Sequence, residues 1–389
     1  MKIGFFTDSF RPYTSGVVRS IETFSRELTN LGHEIYVFAP KYPDSVPEPR
    51  VFRFISIPSP TNQDFTLAIP FSLQLRYTAR RLGLDVIHVH SPFLLGRLGA
   101  RYARQNNLPL VCTYHTLYDQ YIHYVPIGKN LSKVIIRKIT RDFCNMCDLV
   151  IAPTTVVSQV LVNGGVSQPI RIIPTGIELD EFNGVDRGWL RRQYGIGEQE
   201  KILLHVGRMS TEKNLGLLLK SFARVYRHAP VARLVLVGGG PQSETLHEIV
   251  ASMDLSRQVI FTGLLPREEV VKCYAGADLF VFASVTETQG IVLGEAKAAG
   301  LPVVAVRAFG AAEMVIDGSD GYLTEPTEEA LAGRILQVIQ DDGLRLRLSA
   351  SARENVKQMS SQACASRMAD AYEQLILEKG RQVGRRKQA

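Results

Sequence analysis

Short apolar runs rich in valine, isoleucine and leucine recur along this chain, and stretches of helix length separate them. In the first half they read "KIGFF", "EIYVFAP", "RVFRF", "DVIHVH", "LPLVCTYH", "DLVIAP" and "IRIIPT". In the second they read "KILLHVG", "ARLVLVGG", "QVIFTG", "DLFVFAS" and "LPVVAV". A strand with one face in water alternates apolar and polar residues, whereas these runs are mostly apolar throughout, as strands covered on both faces are. The pattern predicts an α/β chain of two Rossmann-like, doubly wound parallel-sheet domains. It breaks in "PTGIELDEFNGVDRGWLRRQYGIGEQEK", 174–201, where turn formers and charges precede a fresh strand at Lys201. We therefore expect a first domain over 1–180, a linker over 181–200 and a second domain over 201–365. A C-terminal helix with a basic tail is expected over 366–389, with Met368, Ala371, Tyr372, Leu375 and Ile376 at helical spacing. Parallel sheets bind ligands beyond the carboxyl ends of their strands, so two in series predict a cleft with a ligand on each side.

Length and composition agree. At 389 residues the chain exceeds what one core organises. Its longest apolar runs fall short of the roughly 18 residues a membrane span needs. "MKIGFFTDSF" reads as a first strand rather than a signal peptide, and a cytoplasmic location is the expectation. Five cysteines, an odd number, predict free thiols, and "CNMC" at 144–147 has no second pair nearby to complete a zinc site. The net charge of +7 is uneven: the first 170 residues hold 18 Lys/Arg and 11 Asp/Glu, and the last eleven hold five Lys/Arg. Such asymmetry predicts an anionic partner, either nucleic acid or a membrane surface.

Several loops carry candidate chemistry. "HVGRMSTEKNL", 205–215, puts Arg208 and Lys213 between a strand and a helix, where two cations suit a diphosphate; read alone, they also fit a solvated surface pair. Gly238, Gly239 and Gly240 follow a strand and would let the backbone approach a ligand, or form a plain tight turn. Ser15-Gly16 opens the first helix, a position suited to phosphate or to a simple turn. His115 lies just past a strand with Tyr114, Tyr118, Tyr121 and Tyr124 around it, and can handle a proton or a hydrogen bond; His88 and His90 read as core-edge residues. "ETQGIVLGEA" passes from a loop at Glu287 into a helix whose first amides belong to Gly290, Ile291 and Val292, with Glu295 farther along. Eight helical positions span about 12 Å, too far for two carboxylates to share a proton. Glu287 and Glu295 are expected to bind different parts of one extended ligand.

These stretches, with "IPTGIELDEF" and "FTGLLPREEV", occur in the order found in the family 4, group 1 retaining glycosyltransferases, and the whole chain resembles that family. The resemblance implies the GT-B fold: an acceptor-binding first domain, and a second domain that binds a nucleotide sugar. It further implies that Arg208 and Lys213 hold the donor diphosphate, aided by amides near Gly16 and at Gly290, Ile291 and Val292. Glu295 would meet the ribose, Glu287 the transferred hexose, His115 its reacting face, and backbone near Leu264 the base. Catalysis would then rest on His115 and Glu287, with no tightly bound cofactor and no obligatory metal. The chain has no Asp-x-Asp, which argues against the metal-dependent GT-A design.

Within the family, residues 114–154 resemble those of the bacterial glucosyldiacylglycerol synthases. The resemblance implies UDP-glucose as donor and a lipid such as diacylglycerol as acceptor, with GDP-mannose or a soluble acceptor as the alternative. The residues agree: Lys129, Lys133, Arg137 and Arg141 recur every four positions, Lys138 adds a charge, and Leu131, Ile135, Ile139 and Phe143 form an opposite row. Such a helix suits an anionic lipid surface, with residues 69–83 as a second contact; equally, the row would pack on the domain's own sheet. The expected location is peripheral, on the inner face of the cell membrane. Other classes fit less well. No GxGxxG opens either domain for a nicotinamide cofactor, and basic-aromatic interleaving for nucleic acid is confined to the His115 segment.

Overall fold

The computed structural model describes residues 1–59, 65–71, 73–117 and 129–388, without the side chains of 73–76, 129–133 and 382–388. The chain forms two compact units, 1–176 with 361–389, and 177–360.

In the first unit, β1 (Lys2–Phe6), α1 (Gly16–Asn30), β2 (Glu34–Pro40) and β3 (Val51–Phe54) lead to a small hairpin, β4 (Ser56–Pro58) and β5 (Thr66–Ala68). Then follow α2 (Leu73–Leu82), β6 (Val86–Val89), α3 (Leu94–Gln105), β7 (Leu110–Thr113), α4 (Lys129–Cys144), β8 (Leu149–Ala152), α5 (Thr155–Asn163) and β9 (Ile170–Ile172). The sheet is parallel, in the order β3-β2-β1-β6-β7-β8-β9. The strand order reverses between β1 and β6, so the loops leaving those two strands flank the place where such sheets bind ligands.

The second unit runs α6 (Trp189–Tyr194), β10 (Lys201–Val206), α7 (Leu215–His228), β11 (Ala232–Val237), α8 (Ser243–Ser252), β12 (Val259–Gly263), α9 (Arg267–Gly276) and β13 (Leu279–Phe282). It continues with α10 (Ile291–Ala299), β14 (Val303–Val306), α11 (Phe309–Met314), β15 (Gly321–Thr324), α12 (Glu328–Gln340) and α13 (Asp342–Asn355). The parallel order β12-β11-β10-β13-β14-β15 is the doubly wound Rossmann order, with its reversal between β10 and β13. Both predicted sheets are present. Each central strand is buried on both faces, β6, β7, β13 and β14 wholly so.

The expected boundaries need two corrections. Residues 181–200 are not a linker: Phe182, Trp189, Leu190, Tyr194 and Ile196 pack into the second unit's core. The C-terminal helix α14 (Ser361–Gln388) belongs to the first unit, where Met368, Ala371 and Tyr372 are fully buried among Ile3, Phe5 and Ile21. Helical periodicity marks an apolar face but does not identify the sheet that covers it.

Candidate active site

In the second unit the loops leaving β10 and β13 converge. Lys213 ends a 3-10 turn, Thr211–Lys213, and Asn214 adopts the left-handed conformation that starts α7. The Lys213 ammonium donates to Glu287 Oε1, both side chains being largely buried, and lies 5.9 Å from the centre of the Phe282 ring. The Ser284 hydroxyl donates to the Glu212 carbonyl at 2.9 Å and ties the two loops together. Arg208 is exposed and has no ion-pair partner among the described residues. The diphosphate cation and the hexose carboxylate expected from sequence are thus direct neighbours.

The glycine run after β11 packs closely against the loop that follows β10. A Cβ on Gly238 would sit 2.1 Å from the Gly207 carbonyl, and one on Gly240 2.5 Å from that of Met209. These two glycines let their backbone approach the Arg208 loop. Leu264, past β12, is 83% exposed and packs only its inner edge near Gly239.

Gly290 caps α10 with φ +79, a backbone that side chains adopt at a cost, so Ile291 and Val292 begin the helix and leave first-turn amides unpaired within it. Glu295, one turn on, is buried. Its Oε1 lies 2.8 Å from Arg267, and its Oε2 accepts from the Tyr274 hydroxyl at 3.0 Å. Arg267 also donates to Glu181 at 3.1 Å. A carboxylate has about four lone-pair sites, so Glu295 held this way retains acceptor capacity for a diol. Arg267, Glu181 and Tyr274 were not singled out in the sequence; the signal lay in "LDEF" and "PREEV", two stretches that meet at Arg267. Glu287 and Glu295 have separate partners, Lys213 for the first and Arg267 with Tyr274 for the second.

In the first unit, Gly16 is the first residue of α1 and is exposed, and Ser15 caps the helix by accepting from the Val18 amide at 3.3 Å. His115 follows β7, and its Nε2 is 3.0 Å from Nδ1 of His90 at the end of β6. Tyr114 is buried; Tyr118, Tyr121 and Tyr124 lie outside the described residues. On α4, Arg137 and Lys138 are exposed, and Arg141 pairs with Asp142 at 2.7 Å. The side chains of Lys129 and Lys133 lie outside the described residues. The apolar row of α4 divides: Phe143 is fully buried, but Ile135 and its neighbour Val134 are exposed.

The two halves of the chain match two family models: residues 14–181 that of glycosyltransferase family 4, and 186–355 that of the group 1 glycosyl transferases. The chain therefore belongs to the family 4, group 1 glycosyltransferases and is a sugar-transferring enzyme of the GT-B fold. It is 34% identical to the α-monoglucosyldiacylglycerol synthase of Streptococcus pneumoniae, over 87% of this chain and 78% of that one. It is 30% identical to the enzyme of the same name from Acholeplasma laidlawii, over 99% and 100%. Among solved structures it is similar to Anabaena Alr3699/HepE in complex with UDP and glucose, with TM-score 0.78 at 22% identity over 96% of this chain and all of that one.

Buried imidazoles set a pH dependence of stability. Burial lowers the pKa of His115 to about 3 and of His205 to about 4. It holds His88 and His90 well below the ordinary value, with a smaller push from neighbouring imidazoles. In the unfolded chain all four take up protons near pH 6.5. Their contribution is complete above that pH and is lost as pH falls toward the folded values, by up to about 1.4 kcal/mol per imidazole per pH unit. Asp8, raised by burial, acts in the opposite direction, but it is one group against four. The melting temperature is expected to hold from pH 8 to 7 and to drop steadily from 6 to 4.5; an unchanged value at pH 5 would contradict neutral burial.

Proposed function

We propose that the protein moves glucose from UDP-glucose to 1,2-diacylglycerol at an anionic membrane surface, with retention of anomeric configuration. What carries this reading is the similarity along most of the chain to two α-monoglucosyldiacylglycerol synthases. In it, Arg208, Lys213 and the amides at Gly290, Ile291 and Val292 hold the diphosphate, with Gly16 adding a further amide. Glu287 binds the hexose, Glu295 the ribose hydroxyls, and the backbone at Leu264 the base. Charge gathering on the departing diphosphate is met by the two cations and the α10 dipole, so the step does not require a metal or a tightly bound cofactor. His115, neutral at physiological pH, contacts the hexose on its reacting face.

The lipid surface is the proposed partner of the first unit; nucleic acid is not. Arg137 and Lys138 stand beside exposed Val134 and Ile135, with Lys129, Lys133 and Arg141 on the same helix. A second exposed apolar group, Ile55, Ile57, Ile69, Phe71 and Tyr77, lies just before and on β4, after β5 and on α2, the last of which also carries exposed Arg80 and Arg81. Phe71 is 73% exposed, an unfavourable state in water that insertion among acyl chains relieves. Each cation near such a surface adds about 1 kcal/mol.

Purified protein given labelled UDP-glucose or GDP-mannose with diacylglycerol vesicles is expected to form a glucolipid from the first donor. Product from GDP-mannose alone overturns the donor assignment, and no glycolipid from either overturns the lipid reading. Arg137→Gln with Lys138→Gln is expected to weaken co-sedimentation with anionic vesicles by roughly 30-fold, at about 1 kcal/mol per charge removed. Turnover on a detergent-dispersed acceptor is expected to be spared.

A further inference from the structure

His90 read as a core-edge residue, yet its ring is fixed on every side. It stacks on His88 at 4.3 Å between ring centres and on His115 at 5.3 Å, and meets Phe5 edge-on at 4.7 Å. His88 is itself pinned at both nitrogens, by the Tyr372 hydroxyl from α14 and by the Thr113 hydroxyl at 2.7 Å. The ring below His90 therefore cannot turn without breaking two buried hydrogen bonds.

The 3.0 Å contact between His90 Nδ1 and His115 Nε2 holds one proton, so one ring donates and the other accepts. If His115 donated, the proton of His90 would sit on its Nε2, which is buried without a partner among the described residues. An N–H donor left unpaired in the interior is the rarer defect in folded proteins and forfeits about 1–3 kcal/mol. If His90 donates, Nε2 is left as an unprotonated ring nitrogen, an unmet acceptor rather than an unmet donor. The proton on His115 is then left to its Nδ1.

We propose that His90 is a positioning residue: it donates Nδ1–H to His115 Nε2 and so fixes His115 as the tautomer whose Nδ1–H donates to a hydroxyl of the transferred hexose. The functional half of this rests on the assignment of His115 to the hexose. Under it, His115 is a hydrogen-bond donor in the transfer step and not a base, and α14 supports it through Tyr372 and His88.

Nitrogen-15 spectra of histidine-labelled wild-type protein report the tautomer directly. His115 is expected to carry its proton on Nδ1 at pH 7.5; a proton on Nε2 overturns the proposal with no variant needed. His90→Leu is expected to change that tautomer and lower kcat at least tenfold while donor KM moves little. His90→Asn, whose amide nitrogen lies where Nδ1 does, is expected to restore both. Equal loss of kcat in His90→Leu and His90→Asn, with both melting as wild type and the tautomer unmoved, marks His90 as packing only and overturns it. Wild-type transfer by His115→Ala refutes the hexose assignment and with it the functional half, and is separable because the tautomer is read on its own.

Discussion

Lys213→Ala is expected to lower kcat/KM for sugar transfer by roughly 10²–10³-fold, the loss found when one preorganised group facing developing charge is removed. The ammonium is held between Glu287 and the face of Phe282. In the proposed donor site an ammonium preorganised there would meet the leaving diphosphate at little further cost in side-chain entropy. The substitution also leaves Glu287 without its counter-charge in a largely buried setting, which would disturb the proposed hexose contact. Glu287→Ala is therefore expected to cost a similar amount, and the double variant clearly less than the product of the two, because they form one interacting unit. Steady-state rates at saturating acceptor, with melting temperatures as a fold control, check this. Wild-type activity in Lys213→Ala would remove Lys213 from the donor site, and strict multiplicativity would remove the coupling.

The parts of this molecule legible in its sequence are those encoded by local pattern. Strands buried on both faces announce themselves, and both parallel sheets followed from them. β15 was missed because its signal is weak: Gly321 begins it, and a Cβ there would sit 2.1 Å from the Val303 carbonyl, so close strand packing replaced an apolar side chain. The β4–β5 hairpin was missed because its strands span three residues each and expose isoleucine and proline. Placing α14 in the first unit needs contacts hundreds of positions apart, such as Tyr372 with His88.

The site divides the same way. Arg208, Lys213, Glu287 and Glu295 stand at loop and helix positions that the topology makes meaningful. Their partners do not: Glu181 and Arg267 lie 86 residues apart, and His90 gains its interest only from standing 3.0 Å from His115. The glycines after β11 show the converse, since a pattern that fits either a ligand or a tight turn also seats the Arg208 loop. Spacing identifies where a backbone must come close, and only the fold identifies what it comes close to.

Lys297→Met is expected to destabilise the protein by about 3–5 kcal/mol, the cost of removing one partner of a buried ion pair. Lys297 sits on α10 at 3% exposure, and Asp320 before β15 at 0%. The ammonium lies 2.6 Å from Asp320 Oδ2 and donates to the Met314 carbonyl at 2.9 Å. Asp320 also accepts from the Ile316 amide at 2.8 Å and from Asn355 Nδ2 at 3.0 Å. Methionine fills the volume but leaves the carboxylate with neutral donors only. At roughly 2–4 °C per kcal/mol for a unit of this size, the melting temperature should fall by about 6–20 °C. Adding Asp320→Asn removes the stranded charge and is expected to recover much of the loss, since deleting both charges of a buried pair is often nearly neutral. A single variant that melts within 2 °C of wild type would show that water reaches the pair. Because the helix anchored by Lys297 also carries Gly290 and Glu295, donor KM should rise as the assay temperature nears the lowered transition and stay close to wild type well below it.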